Sequence, residues 1–180
     1  MRAFYVLERH GPKVGKSTTD FLPAEPHAVN DAPRCRACNG PIGMLHWEPP
    51  LRVEVDTWGT EFGDLVFGPG DSFLVSGRFK VLWDHARLVG LHGFEPVDLV
   101  RVRHRGKRIK EAPPQYVRVW AGRSEVAVDP VLSGMEWTSA PTCDVCREGV
   151  KKGWRQIVLE GEPRENVFQA RGLGQVLADD

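Results

Sequence analysis

Apolar and polar positions alternate most cleanly in LRVEV, residues 51–55, where Leu51, Val53 and Val55 stand against Arg52 and Glu54. A period of two predicts a half-buried strand. FYVLER (4–9) alternates more weakly before Gly11 and Pro12 and predicts an opening strand. In SGRFKVLWDHARLVGL (76–91) the period changes. Phe79, Leu82, Trp83, Ala86 and Val89 fall on one helical face, Ser76 is placed to cap the start, and Gly90 stands where a left-handed residue would close the end. FEPVDLVRVR (94–103) and QYVRVWAG (115–122) predict two more strands, followed by the short runs EVAVD (125–129) and WRQIVLEG (154–161). Residues 11–50 hold seven prolines and four glycines among few periodic apolar positions, which predicts irregular chain. DLVFGPGDSFLVSGRF (64–79) and ENVFQARGLGQVLADD (165–180) echo one another, as a duplicated strand-turn unit or by chance. Together these patterns predict a single α+β domain over 1–180, mostly antiparallel sheet with one principal helix.

Composition narrows the class rather than the function. An apolar fraction of 41% and a charged fraction of 27% are those of an ordinary globular chain, and 180 residues suffice for a real core. Lysine and arginine, 24 together, balance 24 aspartates and glutamates, so no global pull toward nucleic acid or anionic lipid is expected. The first residues carry an apolar run too short for a signal peptide, and no later run approaches the ~18 residues of a membrane span. A cytoplasmic location, with reduced thiols and no membrane partner, is the expectation.

The chemistry concentrates in the four cysteines. APRCRACNG (32–40) and APTCDVCREG (140–149) share the framing Ala-Pro-X-Cys-X-X-Cys, with Gly40 and Gly149 just beyond. A CxxC turn aims two sulfurs at one centre, and two such turns supply the four tetrahedral ligands of a structural Zn²⁺. Cys35, Cys38, Cys143 and Cys146 are therefore the candidate metal ligands, in a zinc-ribbon-like Cys₄ site. A compact ribbon separates its knuckles by ~15–20 residues, whereas here residues 39–142 intervene. One shared metal would make 51–139 a long α+β insertion between two knuckles, acceptable if its ends lie close together. Two alternatives stay open: a thiol oxidoreductase, which needs one pair at a helix N-terminus, and four unligated cysteines.

Other motifs carry less. GPKVGKST (11–18) has three residues, not four, between its first glycine and Gly-Lys, and the prolines that follow forbid the helix a phosphate loop requires. RVRHRGKRIK (101–110) is either a contact surface for phosphate or an acidic partner, or a strand with Val100 and Val102 inward and a charged outer face. No aromatic residues interleave with its cations, which argues against single-stranded nucleic acid. His10, His27, His46, His85, His92 and His104 are scattered without ligand spacing. Six tryptophans, at 47, 58, 83, 120, 137 and 154, suit core packing, with one or two free to anchor a partner. No nucleophile-base arrangement or paired carboxylates argue for an enzyme.

These features together resemble the myxobacterial double-CXXCG motif paralogous family. The resemblance rests on FYVLER, the two CxxC pairs, FLVSGRFKVLWDHARLVGLHGFEPV (73–97) and ENVFQARGLGQVL. Asn39 and Arg147 stand where the family carries glycine directly after the second cysteine, and relatives tend to continue past the late segment into a final helix. Members include immunity proteins that neutralise toxins exchanged between kin cells. The resemblance thus implies a non-enzymatic antitoxin that binds a cognate protein toxin, with 101–110 as one candidate contact surface. Glu54, Asp56, Glu61 and Asp64 would be an acidic alternative for a basic toxin. A zinc-stabilised nucleic-acid-binding or regulatory module using 101–110 is the rival reading.

Overall fold

The computed structural model describes residues 17–45, 47–70 and 72–173. The predicted strand at 4–9, most of GPKVGKST, His10, His46 and the end of the late echo lie outside them. The described chain forms two compact units, one from 17–31 and 45–120, the other from 32–44 and 121–173.

The larger unit is a curled sheet. Its elements run β1 (Ser17–Pro23), β2 (Ala28–Val29), β3 (Trp47–Glu48), β4 (Arg52–Gly59), β5 (Leu65–Phe67), β6 (Ser72–Ser76), α1 (Gly77–His85), β7 (Leu91–Pro96), β8 (Asp98–His104) and β9 (Tyr116–Ala121). Seven strands join in the order β7-β9-β6-β5-β1-β4-β8, and β2 pairs with β3 separately. Antiparallel ladders dominate, with parallel pairings at β1–β5 and β4–β8. The two edge strands, β7 and β8, are consecutive in the chain with only Val97 between them. The short link brings the end of one edge strand next to the start of the other, so the sheet has to curl, and the Asp98 amide at the start of β8 donates to the Leu51 carbonyl just before β4, 2.8 Å, at the head of the β4–β8 pairing. Inside lie Phe21, Trp47, Leu51, Val53, Val55, Val66, Leu74 and Tyr116. Each full burial of such a side chain contributes about 1.5–3 kcal/mol.

β4 realises its alternation: Val53, Val55 and Thr57 are buried while Arg52, Glu54 and Asp56 are only half-covered. β1, its full-length antiparallel partner, falls in the stretch expected to be irregular. Its inward positions are Thr19 and Phe21, and its large apolar residue Leu22 is exposed. Thr19 is tolerated inside because its hydroxyl pairs with that of Thr57, 3.3 Å, so hydrophobicity alone could not reveal the strand. The predicted strand 94–103 is in fact two, broken at Pro96–Val97. A bulge in β8 also corrects the inward set. Leu99 faces Val53 and Val102 faces Val55, which leaves Val100 as the extra, exposed residue.

α1 starts as predicted, with the Ser76 hydroxyl accepting from the Phe79 amide (3.1 Å) and donating to Asp64 (2.5 Å). It is shorter than the period suggested. The Arg87 amide donates to Asp84 and that of Leu88 to Trp83, with Arg87 at φ 51°, so a Schellman turn closes the helix three residues before Gly90. Only Trp83 is buried, stacked on Phe79 and tilted against Phe94, while Leu82 and Val89 stay exposed. Arg118 of β9 points into the curl beside Leu74 and is 1% exposed. It is held by Glu95, by the Trp47 carbonyl and between the rings of Trp47 and Trp120.

The smaller unit contains β10 (Arg123–Val128), β11 (Glu136–Ser139), β12 (Val150–Gly153), β13 (Leu159–Glu160) and β14 (Gln169–Arg171). β10 is the centre of a three-stranded sheet, between β13 and β14, and β11 pairs with β12 as an antiparallel hairpin. The predicted run 125–129 is β10. Of 154–161 only Leu159–Glu160 is strand. Of the two echoed segments, 64–79 forms strand, turn, strand and the start of α1. The described part of the other contributes β14.

Candidate metal centre

Each cysteine pair occupies the turn of a hairpin. The β11–β12 hairpin carries Cys143 and Cys146 at its tip, and an Arg34–Pro41 bridge closes a smaller turn around Cys35 and Cys38. The turns have the same internal bonding. The amide of the fourth residue after the first cysteine donates back to that cysteine's carbonyl, Asn39 to Cys35 and Arg147 to Cys143, each at 2.8 Å. Both donors adopt left-handed backbone, φ 58° at Asn39 and 55° at Arg147.

That places the special backbone conformation directly after each second cysteine, where the double-CXXCG pattern has glycine. Gly40 and Gly149, just beyond, do not carry that left-handed conformation. They serve close approach instead. A Cβ on Gly149 would lie 2.6 Å from the Ser139 carbonyl oxygen and 2.9 Å from the Pro141 nitrogen, at the hairpin neck. A Cβ on Gly40 would sit 3.3 Å from the Cys38 sulfur.

The four sulfurs converge across a long sequence gap. All lie within 4.8 Å of one another, with Cys35–Cys143 at 4.0 Å and Cys38–Cys146 at 3.7 Å. A disulfide needs about 2.05 Å, and all four cysteines are free thiols. A tetrahedron with metal–sulfur bonds of ~2.3 Å has edges of ~3.8 Å, close to these separations. The chain therefore builds a Cys₄ cluster able to hold a metal ion, with Cys35 and Cys146 buried and Cys38 exposed.

Local bonding prepares the thiols unequally. Amides of Cys38 and Ala37 aimed at Cys35 bring its pKa down to about 6, and amides of Cys146 and Val145 lower that of Cys143. Burial pushes Cys146 up to about 12. At Cys38 the Gly40 amide pulls downward, but the thiols of Cys143 and Cys35 together with desolvation raise it. Backbone amides thus favour the thiolate at the first cysteine of each turn, while burial and the neighbouring thiols disfavour it at the second. Neither turn leads into a helix, the arrangement a dithiol oxidoreductase would use.

Surrounding residues that no motif announced hold the cluster. Arg123 of β10 donates to the Ile42 carbonyl after the first turn and to the Glu148 carboxylate after the second, stapling the two knuckles. Arg147 pairs with Glu160 at 2.7 Å, and Arg171 donates to the Val145 carbonyl at 3.3 Å. Lys151 is 2% exposed over the Trp154 ring, and desolvation lowers its amine to about 8 against the pull of Glu148.

The other candidates disperse. In 101–110, Arg103 pairs with Glu54 and Arg105 with Asp56 at 2.8 Å, a cross-strand ladder on the outer face of β4 and β8. Asp64 is taken by Arg78. Three of the four acidic residues offered as a docking surface are therefore engaged within the chain. His27 lies against Glu25, His92 stacks on Trp120, and His104 accepts from the Ile109 amide. Among the described residues no helix is long and apolar enough to cross a membrane.

Fold and cluster define a mostly β protein whose two CxxC knuckles bring four cysteines within reach of one metal ion. No protein-family model matches the chain, and no solved structure matches its fold.

Proposed function

We propose that the chain is a non-enzymatic immunity protein that binds and neutralises a cognate protein toxin, on a scaffold fastened by structural zinc. The observation that carries the scaffold is the four sulfurs within 4.8 Å of one another. Cys35, Cys38, Cys143 and Cys146 would occupy every position of a tetrahedral shell, leaving none for water or substrate, so the metal fastens the fold and does not catalyse. Zinc suits four thiolates in this geometry, and its folding contribution falls where a small β unit needs it most. The antitoxin role is supported by the resemblance to the double-CXXCG family. To it the knuckle geometry adds the left-handed position after each second cysteine, at Asn39 and Arg147.

The nucleic-acid reading draws on 101–110, but with Arg103 and Arg105 paired to carboxylates its cationic field is reduced to Arg101, Lys107, Arg108 and Lys110. Elemental analysis of purified protein should find one zinc per chain and a colourless solution, whereas iron would absorb visibly. Cells deprived of the protein should be killed by contact with unaltered siblings and rescued by resupplying it. Survival of the deprived cells would remove the antitoxin reading. Retention of duplex DNA with a steep salt dependence would favour the rival.

A further inference from the structure

The smaller unit carries a groove of about 750 Å³ beside the second knuckle. Val128, Met135 and Trp137 line it with apolar surface, together with Cys143, Asp144 and Arg147 of the knuckle. The tip Pro130–Val131–Leu132 also lines it, and there Val131 is 80% and Leu132 58% exposed. The tip is firmly built. Asp129 Oδ1 accepts from the amides of Val131 and Leu132, both at 2.9 Å, the Ser133 amide donates to the Asp129 carbonyl, and Gln156 donates to the Leu132 carbonyl. Hydrogen bonds thus hold the backbone of two exposed, large apolar residues that line an apolar groove, an arrangement that lowers the ordering cost of a contact made there.

The rim has a sign. Asp129, Asp144 and Glu160 line it with Arg147 as the sole cation among the described lining residues, and Arg147 is already paired with Glu160. The amide bonds to Asp129 orient that carboxylate without cancelling its charge. An uncompensated charge of two carboxylates therefore surrounds an apolar slot, which repels phosphate and favours lysine or arginine. We infer that this groove is the docking surface for the partner, and that it takes a polypeptide segment with an apolar anchor flanked by basic residues. The inference rests on the antitoxin reading and specifies the chemistry of the toxin segment that reading requires.

The test uses metal-loaded ¹⁵N-labelled protein and two capped peptides, Lys-Lys-Leu-Phe-Lys-Lys and Glu-Glu-Leu-Phe-Glu-Glu. The basic peptide should shift the Trp137 indole and the amides of 131–135. It should bind about tenfold or more tightly than the acidic one at low salt, with the ratio shrinking as salt is added. Leu132→Ser should weaken the basic peptide several-fold while leaving metal content and melting unchanged, and Asp144→Asn should narrow the ratio between peptides. No shifts at millimolar peptide, equal binding of both, shifts confined elsewhere, or a groove already filled by a second copy in a concentration-dependent dimer would each overturn the inference. Contact-killing assays read the antitoxin role independently. Protection retained by Leu132→Ser together with peptide failure would discard the groove alone, and loss of the antitoxin role would appear there whatever the peptides do.

Discussion

Lys151→Met should stabilise the metal-loaded protein near neutral pH. Lys151 sits almost wholly out of solvent on β12, and desolvation brings its amine from an ordinary 10.5 to about 8. At ~1.36 kcal/mol per pH unit, that difference corresponds to roughly 3 kcal/mol by which the folded state disfavours the ammonium at pH 7. Methionine would lose the attraction to Glu148, the contact over the Trp154 ring and the further interaction Lys151 makes within the fold, and residual solvent access softens the penalty, so a net gain of about 1 kcal/mol is expected. The sign follows from proton counts. Between pH 8 and 10.5 the unfolded chain binds the proton that the folded chain has released, so wild-type stability rises with pH across that window. The penalty is fully present below pH 8 and gone above 10.5. Urea denaturation of both proteins at pH 7, 8, 9 and 10, each with zinc bound, should show the advantage of Lys151→Met largest at pH 7 and shrinking steadily by pH 10. A variant that is less stable at pH 7, or whose difference from wild type does not change with pH, would refute the reasoning.

Three further outcomes are expected. Cys143→Ser should lose metal and melt ~10 °C or more below the wild type, and full retention of thermal stability would remove the shared Cys₄ site. At the left-handed position after the second knuckle, Arg147→Gly should stay within about 1 kcal/mol of wild type. Arg147→Val should fall ~1–2 kcal/mol below Arg147→Gly, because both lose the Glu160 pair and only the β-branched residue resists φ 55°. Equal chemical denaturation midpoints for the two variants would contradict the assigned backbone role. Gly93→Ala would set a methyl 2.2 Å from the Trp120 ring at φ 93°, a combined strain of about 3 kcal/mol; unchanged near-ultraviolet circular dichroism and melting would show that Trp120 gives way freely.

Much of this protein was written locally. The period-two run at 51–55 became the strand whose inward valines centre the larger core, and Ser76 caps the helix it was assigned. The doubled Ala-Pro-X-Cys-X-X-Cys framing named all four members of the cluster, because thiolate pairing in a tight turn is a property of a few consecutive residues. What escaped was decided by partners distant in sequence. Thr19 is tolerated at an inward strand position because Thr57 and the Gly63 amide meet its hydroxyl, and Val100 is outward because the β4–β8 register takes a bulge there. The cations of 101–110 read as a surface until the parallel pairing of β8 with β4 set Arg103 and Arg105 against Glu54 and Asp56. Arg123, Glu148 and the groove beside Trp137 follow from the same cause. Sequence alone determined which residues could bind metal and which stretches could be strand or helix, since those depend on side-chain chemistry and short-range periodicity. Tertiary structure alone decided that the two knuckles share one centre, which charges cancel, and where apolar surface is left over, since each depends on which distant segments become neighbours.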